Sequence, residues 1–299
     1  MTPGGLKGGS HDPCDSVTSS AAPLLQLGIG VTIASTSGLV RPARADEPSG
    51  PADEDIFQFA LNLEYMEAEY YLRGTTGKGI DDADAGTDAG PVTGGKQVTF
   101  DTPAVGEFMR EVADNELAHV KFYRKTLGDQ AVPRPAIDFD AGFAAVAKAA
   151  GLGEDFDPFG NEMNFVLGGM LFEDVGVTAY AGAATVLKNK DFLAAAAGIL
   201  AVEAYHMGMA RSTLYRMGEK AWEAANAVSD ARDKIDGSDD KDQGIRMDEK
   251  ANVVPSTPDA VAFTRTPEEV LRIVYLTDQP GTNKGGFYPN GMNGAIKST

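Results

Sequence analysis

The chain has 299 residues, enough for one large domain or two ordinary ones. Hydrophobic residues at 42% and charged residues at 23% sit near globular averages, which excludes a wholly disordered or rod-like protein. Acids outnumber bases by 44 to 26, a net charge of -18, so no nucleic acid or anionic lipid partner is expected. One cysteine excludes a disulfide framework and zinc modules built on two or more cysteines, and leaves three histidines for acid–base or metal work.

Residues 1–45 read as a leader. Ala21–Val40 is an uncharged, mildly apolar run, and Gln26, Thr32, Ser35, Thr36 and Ser37 make it a poor permanent membrane span. Ala43-x-Ala45 follows it as a small-x-small cleavage pattern. The expected mature protein starts near Asp46, is periplasmic or secreted, has no stable membrane span, and has shed Cys14 and His11.

Asp55–Arg73 reads as a helix, with Phe57, Leu61, Glu64, Ala68 and Tyr71 on one face. Gly74–Gly95 reads as a loop too polar to bury. Its Asp82, Asp84 and Asp88 alternate like calcium ligands but lack the glycine and glutamate of an EF-hand, so a solvated loop is expected. Thr102-Pro103 opens a second helix that ends before Gly128. A short helix over Ala141–Ala150 lies in a long crossover. Asp157-Pro158 opens a third long helix to Leu187, and Asp191 caps a fourth to about Met217. Ala224–Thr264 is mixed and charged, with Gly237–Gly244 expected to be exposed. Thr266-Pro-Glu-Glu269 is a capping box for a short helix over Pro267–Leu276, and Gly281–Thr299 is loop. These elements predict an all-α four-helix bundle over 46–225, with one long crossover, and a loop-rich extension over 226–299 that packs on it.

Each long helix carries an acid within its apolar stripe: Glu64, Glu116, Glu173 and Glu203. The second and fourth add a histidine three residues on, His119 and His206, so each Glu-x-x-His aims a carboxylate and an imidazole at one spot. Carboxylates facing one another in an apolar core are costly unless cations neutralise them. The order Glu, Glu-x-x-His, Glu, Glu-x-x-His is the known ligand pattern of di-iron and di-manganese carboxylate bundles. The helix pairs also look duplicated. Glu64-x6-Tyr71 repeats as Glu173-x6-Tyr180, and Glu116-x-x-His119-x4-Arg124 repeats as Glu203-x-x-His206-x4-Arg211. The repeat favours Glu64 over Glu67 and Glu69, because Gly176 and Thr178 stand opposite those two. Glu67 and Glu69 are expected to be exposed or to support a ligand, and Tyr71 and Tyr180 to be core or bonded to one. Arg124 and Arg211 are read as surface ion pairs at least as readily as site residues.

The segment Phe59-Ala-Leu-Asn-Leu-Glu-Tyr-Met-Glu-Ala-Glu-Tyr-Tyr71 resembles the opening helix of the ferritin-like desiccation-related proteins. Phe156–Asn164 fits that family's crossover, and Arg265–Tyr275 with Gly285-Gly-Phe-Tyr-Pro289 resemble its C-terminal signature. The resemblance covers residues 55–297 and implies a ferritin-like bundle, export, and an association with drying or oxidative stress.

Two function classes follow. One is a redox protein whose two Fe or two Mn ions react with O2 or hydrogen peroxide, as a ferroxidase, oxidase or manganese-catalase-like enzyme. The other is a non-catalytic stress protein whose metal only stabilises the bundle. A homo-oligomer is compatible with the sequence. A storage cage is not expected, because the Gly74–Gly95 loop and the C-terminal extension would crowd it.

Overall fold

A computed structural model describes residues 50–299, which form one compact unit. The leader, its cleavage site, Cys14 and His11 lie outside the described residues. The helices are α1 (Asp53–Thr76), α2 (Asp82–Ala85), α3 (Pro103–Leu127), α4 (Phe139–Ala150), α5 (Glu162–Ala183), α6 (Lys190–Met217), α7 (Glu219–Asp236) and α8 (Pro267–Tyr275). Two tiny ladders complete them, β1 (Val92–Thr93) parallel to β2 (Ile137–Asp138) and β3 (Arg246–Met247) antiparallel to β4 (Lys250–Ala251).

The bundle is two helical pairs, α1 with α3 and α5 with α6, joined by the long crossover that holds α4. Local chemistry sets the ends. Asp53, Glu54 and Asp55 favour the positive N-terminus of α1, and Gly77 takes the left-handed conformation that closes it at φ 77°. The start of α5 corrects the expectation at Asp157. That carboxylate accepts from Phe159 N at 2.8 Å in a tight turn, and Asn161 caps the helix instead, accepting from Asn164 N at 2.9 Å. The helix ends at Ala183, where a turn takes over before Leu187. Asn189, not Asp191, caps α6, accepting from Asp191 N at 2.8 Å. By length and composition α6 could cross a membrane, yet it buries Glu203, His206 and Arg211 within the bundle.

Three further expectations are corrected. A single glycine, Gly218 at φ 93°, separates α6 from α7, an 18-residue helix that runs across the boundary placed at residue 225. The Gly74–Gly95 segment buries Gly74, Thr75, Ile80 and Ala85 and contains α2. Asp242, within the stretch expected to be exposed, is buried against Arg232 and Arg265.

The C-terminal segment locks the helix that carries Glu64. Asn62 exchanges bonds with Asn293, Nδ2 to the carbonyl at 2.9 Å and Oδ1 from the amide at 2.9 Å, while Tyr288 Oη donates to Asn62 O at 2.8 Å. Phe287 packs edge-on against Phe143 and Phe172, in space that a side chain at Gly142 would occupy. The Gly-Gly-Phe-Tyr-Pro motif is therefore a plug holding α1, α4 and α5 together.

Candidate metal centre

Glu64 on α1, Glu116 and His119 on α3, Glu173 on α5, and Glu203 and His206 on α6 converge in the middle of the bundle. All four carboxylates are 0% exposed, and His119 and His206 are 8% and 4% exposed. The spacing of three residues in each Glu-x-x-His puts both side chains on the inward face of one turn. His119 Nδ1 lies 3.1 Å from Glu64 Oε2, 3.4 Å from Glu116 Oε2 and 3.6 Å from Glu203 Oε1. His206 Nδ1 lies 2.8 Å from Glu116 Oε1 and 3.4 Å from Glu173 Oε2.

The potential ligands fall into two overlapping sets. Glu64, Glu116, His119 and Glu203 form one; Glu116, Glu173, Glu203 and His206 form the other; in each set one ligand atom per residue lies within 4.8 Å of every other. Glu116 and Glu203 are common to both, and each set keeps one private glutamate and one private histidine.

This donor set fits a pair of divalent transition metal ions. Glu173 Oε1 and both oxygens of Glu203 are buried with no hydrogen-bond partner in the protein. Native proteins avoid such orphans unless something else satisfies them. Oxygen donors with imidazole suit Fe and Mn.

With protein groups alone around them, protons have to do the work of cations. Burial pushes the Glu64 carboxyl up to about 7, against the pull of His119. Burial and neighbouring carboxylates hold Glu203 well above its ordinary range, and burial raises Glu173. Burial also opposes ionisation of Glu116, but the two imidazoles beside it outweigh burial and hold it low. Burial disfavours the imidazoliums, yet the carboxylates overcome it and push His119 to about 11 and His206 to about 10.

The internal repeat extends to the surroundings, in crossed form. Tyr180 on α5 donates to Glu64 on α1, and Tyr71 on α1 is buried beside Glu173 on α5, where burial and that carboxylate push its phenol up. The arginines repeat as well. Arg124 Nη1 donates to Tyr65 Oη at 2.7 Å and Arg211 Nη1 to Asp174 Oδ2 at 2.8 Å, each contacting the residue that follows a site glutamate. Arg211 is fully buried, which corrects its reading as a surface residue. Glu69 is buried too, but it pairs with Arg73 and Arg134 away from the centre. Glu67 is 3% exposed and feels Glu116, Glu64 and Glu173; with burial they hold it well above the ordinary range. The repeat is broken at Gly176. A Cβ there would overlap Glu203 Oε2 and come within 3.4 Å of Glu67 Oε1, so the missing side chain makes room for a fifth acid.

Two residues were not anticipated. Asn115 places its side-chain amide 3.2 Å from Nε2 of His206, where the amide oxygen can accept the Nε2 proton and leave Nδ1 facing inward. Tyr123 Oη donates to Tyr180 Oη at 2.8 Å. Its position four residues after His119 was the available signal.

The fold and site define an all-α bundle with a buried carboxylate–histidine centre suited to two metal ions. A family model for the ferritin-like domain matches residues 52–216. The chain is 31% identical over 266 residues to the ferritin-like catalase Nec2 of Nesocodon mauritianus, covering 82% of this chain and 85% of that protein. It is also 31% identical over 241 residues to the desiccation-related protein PCC13-62 of Craterostigma plantagineum, covering 74% and 76%. No solved structure matches. The chain belongs to the ferritin-like, desiccation-related family.

Proposed function

We propose that the protein is an exported dinuclear iron or manganese protein that consumes hydrogen peroxide or O2 under oxidative or drying stress. The observation that carries this reading is the pair of overlapping buried ligand sets sharing Glu116 and Glu203. The catalase named among its relatives supports peroxide as the substrate. Glu64 and His119 would hold one ion, Glu173 and His206 the other, and Glu116 and Glu203 both. Two such ions, when bound, supply reversible two-electron chemistry toward peroxide or O2.

The chain's own residues do the rest. Burial of all six donors excludes bulk water and keeps small uncharged oxidants as the species that fit. Tyr180 holds Glu64 through its hydroxyl, and Asn115 holds His206 through Nε2, so the donors are preorganised. Glu67, whose carboxyl burial and the neighbouring carboxylates push well above the ordinary range, can give or take a proton beside Glu203 without leaving the site.

Elemental analysis of protein from its own compartment, with a peroxide assay on the same sample, tests this. About two Fe or Mn per chain with O2 release or peroxide loss is expected. Bound metal without turnover of peroxide or of O2 with ferrous iron would replace the redox reading with the stabilising role.

A further inference from the structure

A second feature lies on the α1–α5 side of the centre. A cavity of about 550 Å3 opens between the start of α1, the end of α5 and the C-terminal extension, which contributes residues 264–270 and 295–298 to its wall. That volume lies within the range of about 300–1,000 Å3 typical of small-molecule pockets. Phe57, Phe59, Ala60 and Ala183 give it an apolar, partly aromatic lining, and Tyr123 and Tyr180 line it as well. The bases in its wall are matched by acids. Lys241 pairs with Glu269 at 2.5 Å and Arg265 with Asp236 at 2.8 Å, while Glu268 and Lys297 are exposed and opposite in sign. Nothing there selects an ionic ligand. The two tyrosines form a chain, Tyr123 donating to Tyr180 at 2.8 Å and Tyr180 donating to Glu64. The inner wall of the cavity is thus joined through hydrogen bonds to a glutamate of the centre.

We infer that this cavity binds a small neutral phenol and that Tyr123 and Tyr180 relay its electron and proton toward the dinuclear centre. Two phenols each lose one electron and one proton and leave as phenoxyl radicals. One hydrogen peroxide accepts both electrons and both protons and becomes two waters. The oxidising half rests on the redox reading above, whereas the binding half does not.

Calorimetric titration of chelator-treated protein with p-cresol tests binding without metal or turnover. One saturable site per chain is expected, weakened about tenfold or more in Ala60→Phe and in Ala183→Phe, which fill the cavity from different helices. Benzoate, the anionic control, should not bind. Absent saturable binding, or binding that both correctly folded variants leave unchanged, overturns the cavity assignment. The relay is tested in metal-loaded protein by Tyr123→Phe, which keeps the ring. At p-cresol concentrations that saturate the variant, its oxidation by peroxide should fall about tenfold or more while metal content holds. Unchanged oxidation overturns the relay. If p-cresol binds but metal-loaded wild-type protein turns over neither peroxide, with or without p-cresol, nor O2 with ferrous iron, the redox reading fails and the cavity stands.

Discussion

At the scale of single residues, the site is a balance between burial and cations. Glu203 shows it most simply: both its oxygens are buried without partners, and burial with the neighbouring carboxylates pushes its carboxyl well above the ordinary range. Glu203→Gln should therefore leave the melting temperature of chelator-treated protein nearly unchanged, because a neutral amide of the same shape replaces a carboxyl whose ionisation burial disfavours. Metal content should fall from about two ions toward one or none, because an amide cannot bridge as a carboxylate does. A variant that still holds the full complement by elemental analysis would contradict the bridging role. Gly176→Ala makes a complementary test without touching charge. Its Cβ would overlap Glu203 Oε2, so the carboxylate must swing away, and metal affinity should drop by about tenfold or more. Competition with a chromogenic chelator measures this. The six convergent donors were legible in the sequence because an acid in an apolar stripe is conspicuous. The support of His206 by Asn115 was not, since an asparagine beside a glutamate on a helix has no pattern of its own.

At the scale of elements, buried ion pairs clamp the second helical pair to the extension. Asp174 on α5 accepts from Arg211 on α6 at 2.8 Å and from Arg232 on α7 at 2.7 Å, and Arg232 reaches Asp242 at 2.9 Å. Arg265, before α8, closes the network on Asp236 and Asp242. Removing one member leaves its partners buried and uncompensated. Asp174→Ala should cost roughly 3–5 kcal/mol, measurable by urea denaturation, although Asp174 is outside the proposed ligand set. A cost below about 1 kcal/mol would show that water or rearrangement rescues the arginines. This network also explains why α7 escaped the sequence reading. Its buried face is Ala221, Ala225, Val228, Ser229, Ala231, Arg232 and Asp236, small or charged residues where the periodicity argument looks for large apolar ones. The four bundle helices carry large apolar residues at helical spacing and were readable. Pairing partners such as Asp174 with Arg232 depend on tertiary approach and leave no local mark.

At the scale of the whole molecule, metal-free stability and the gain from added metal should respond to pH in opposite senses. His119 and His206 have folded values pushed to about 11 and about 10, above the ordinary 6.5. Their contribution is fully present below about 6.5 and is lost as pH rises through the folded values. Glu64, raised from 4.5 to about 7, acts in the same sense over a lower window, because the folded chain binds the proton that the unfolded chain releases. Metal-free protein should therefore melt at progressively lower temperature as pH rises from about 5 to about 9. Metal ions need deprotonated imidazoles and carboxylates, so binding releases protons and tightens with rising pH. The gain in melting temperature on adding Mn or anaerobic ferrous iron should widen over the same interval, since stabilisation by a ligand grows with its affinity for the folded chain. Scanning calorimetry across that range, with chelator and with metal, reads both slopes. A metal-free melting temperature that climbs toward alkaline pH would mean the imidazoles are not held as cations by the glutamates. A metal-induced gain that is flat with pH would mean the ions bind away from the histidines.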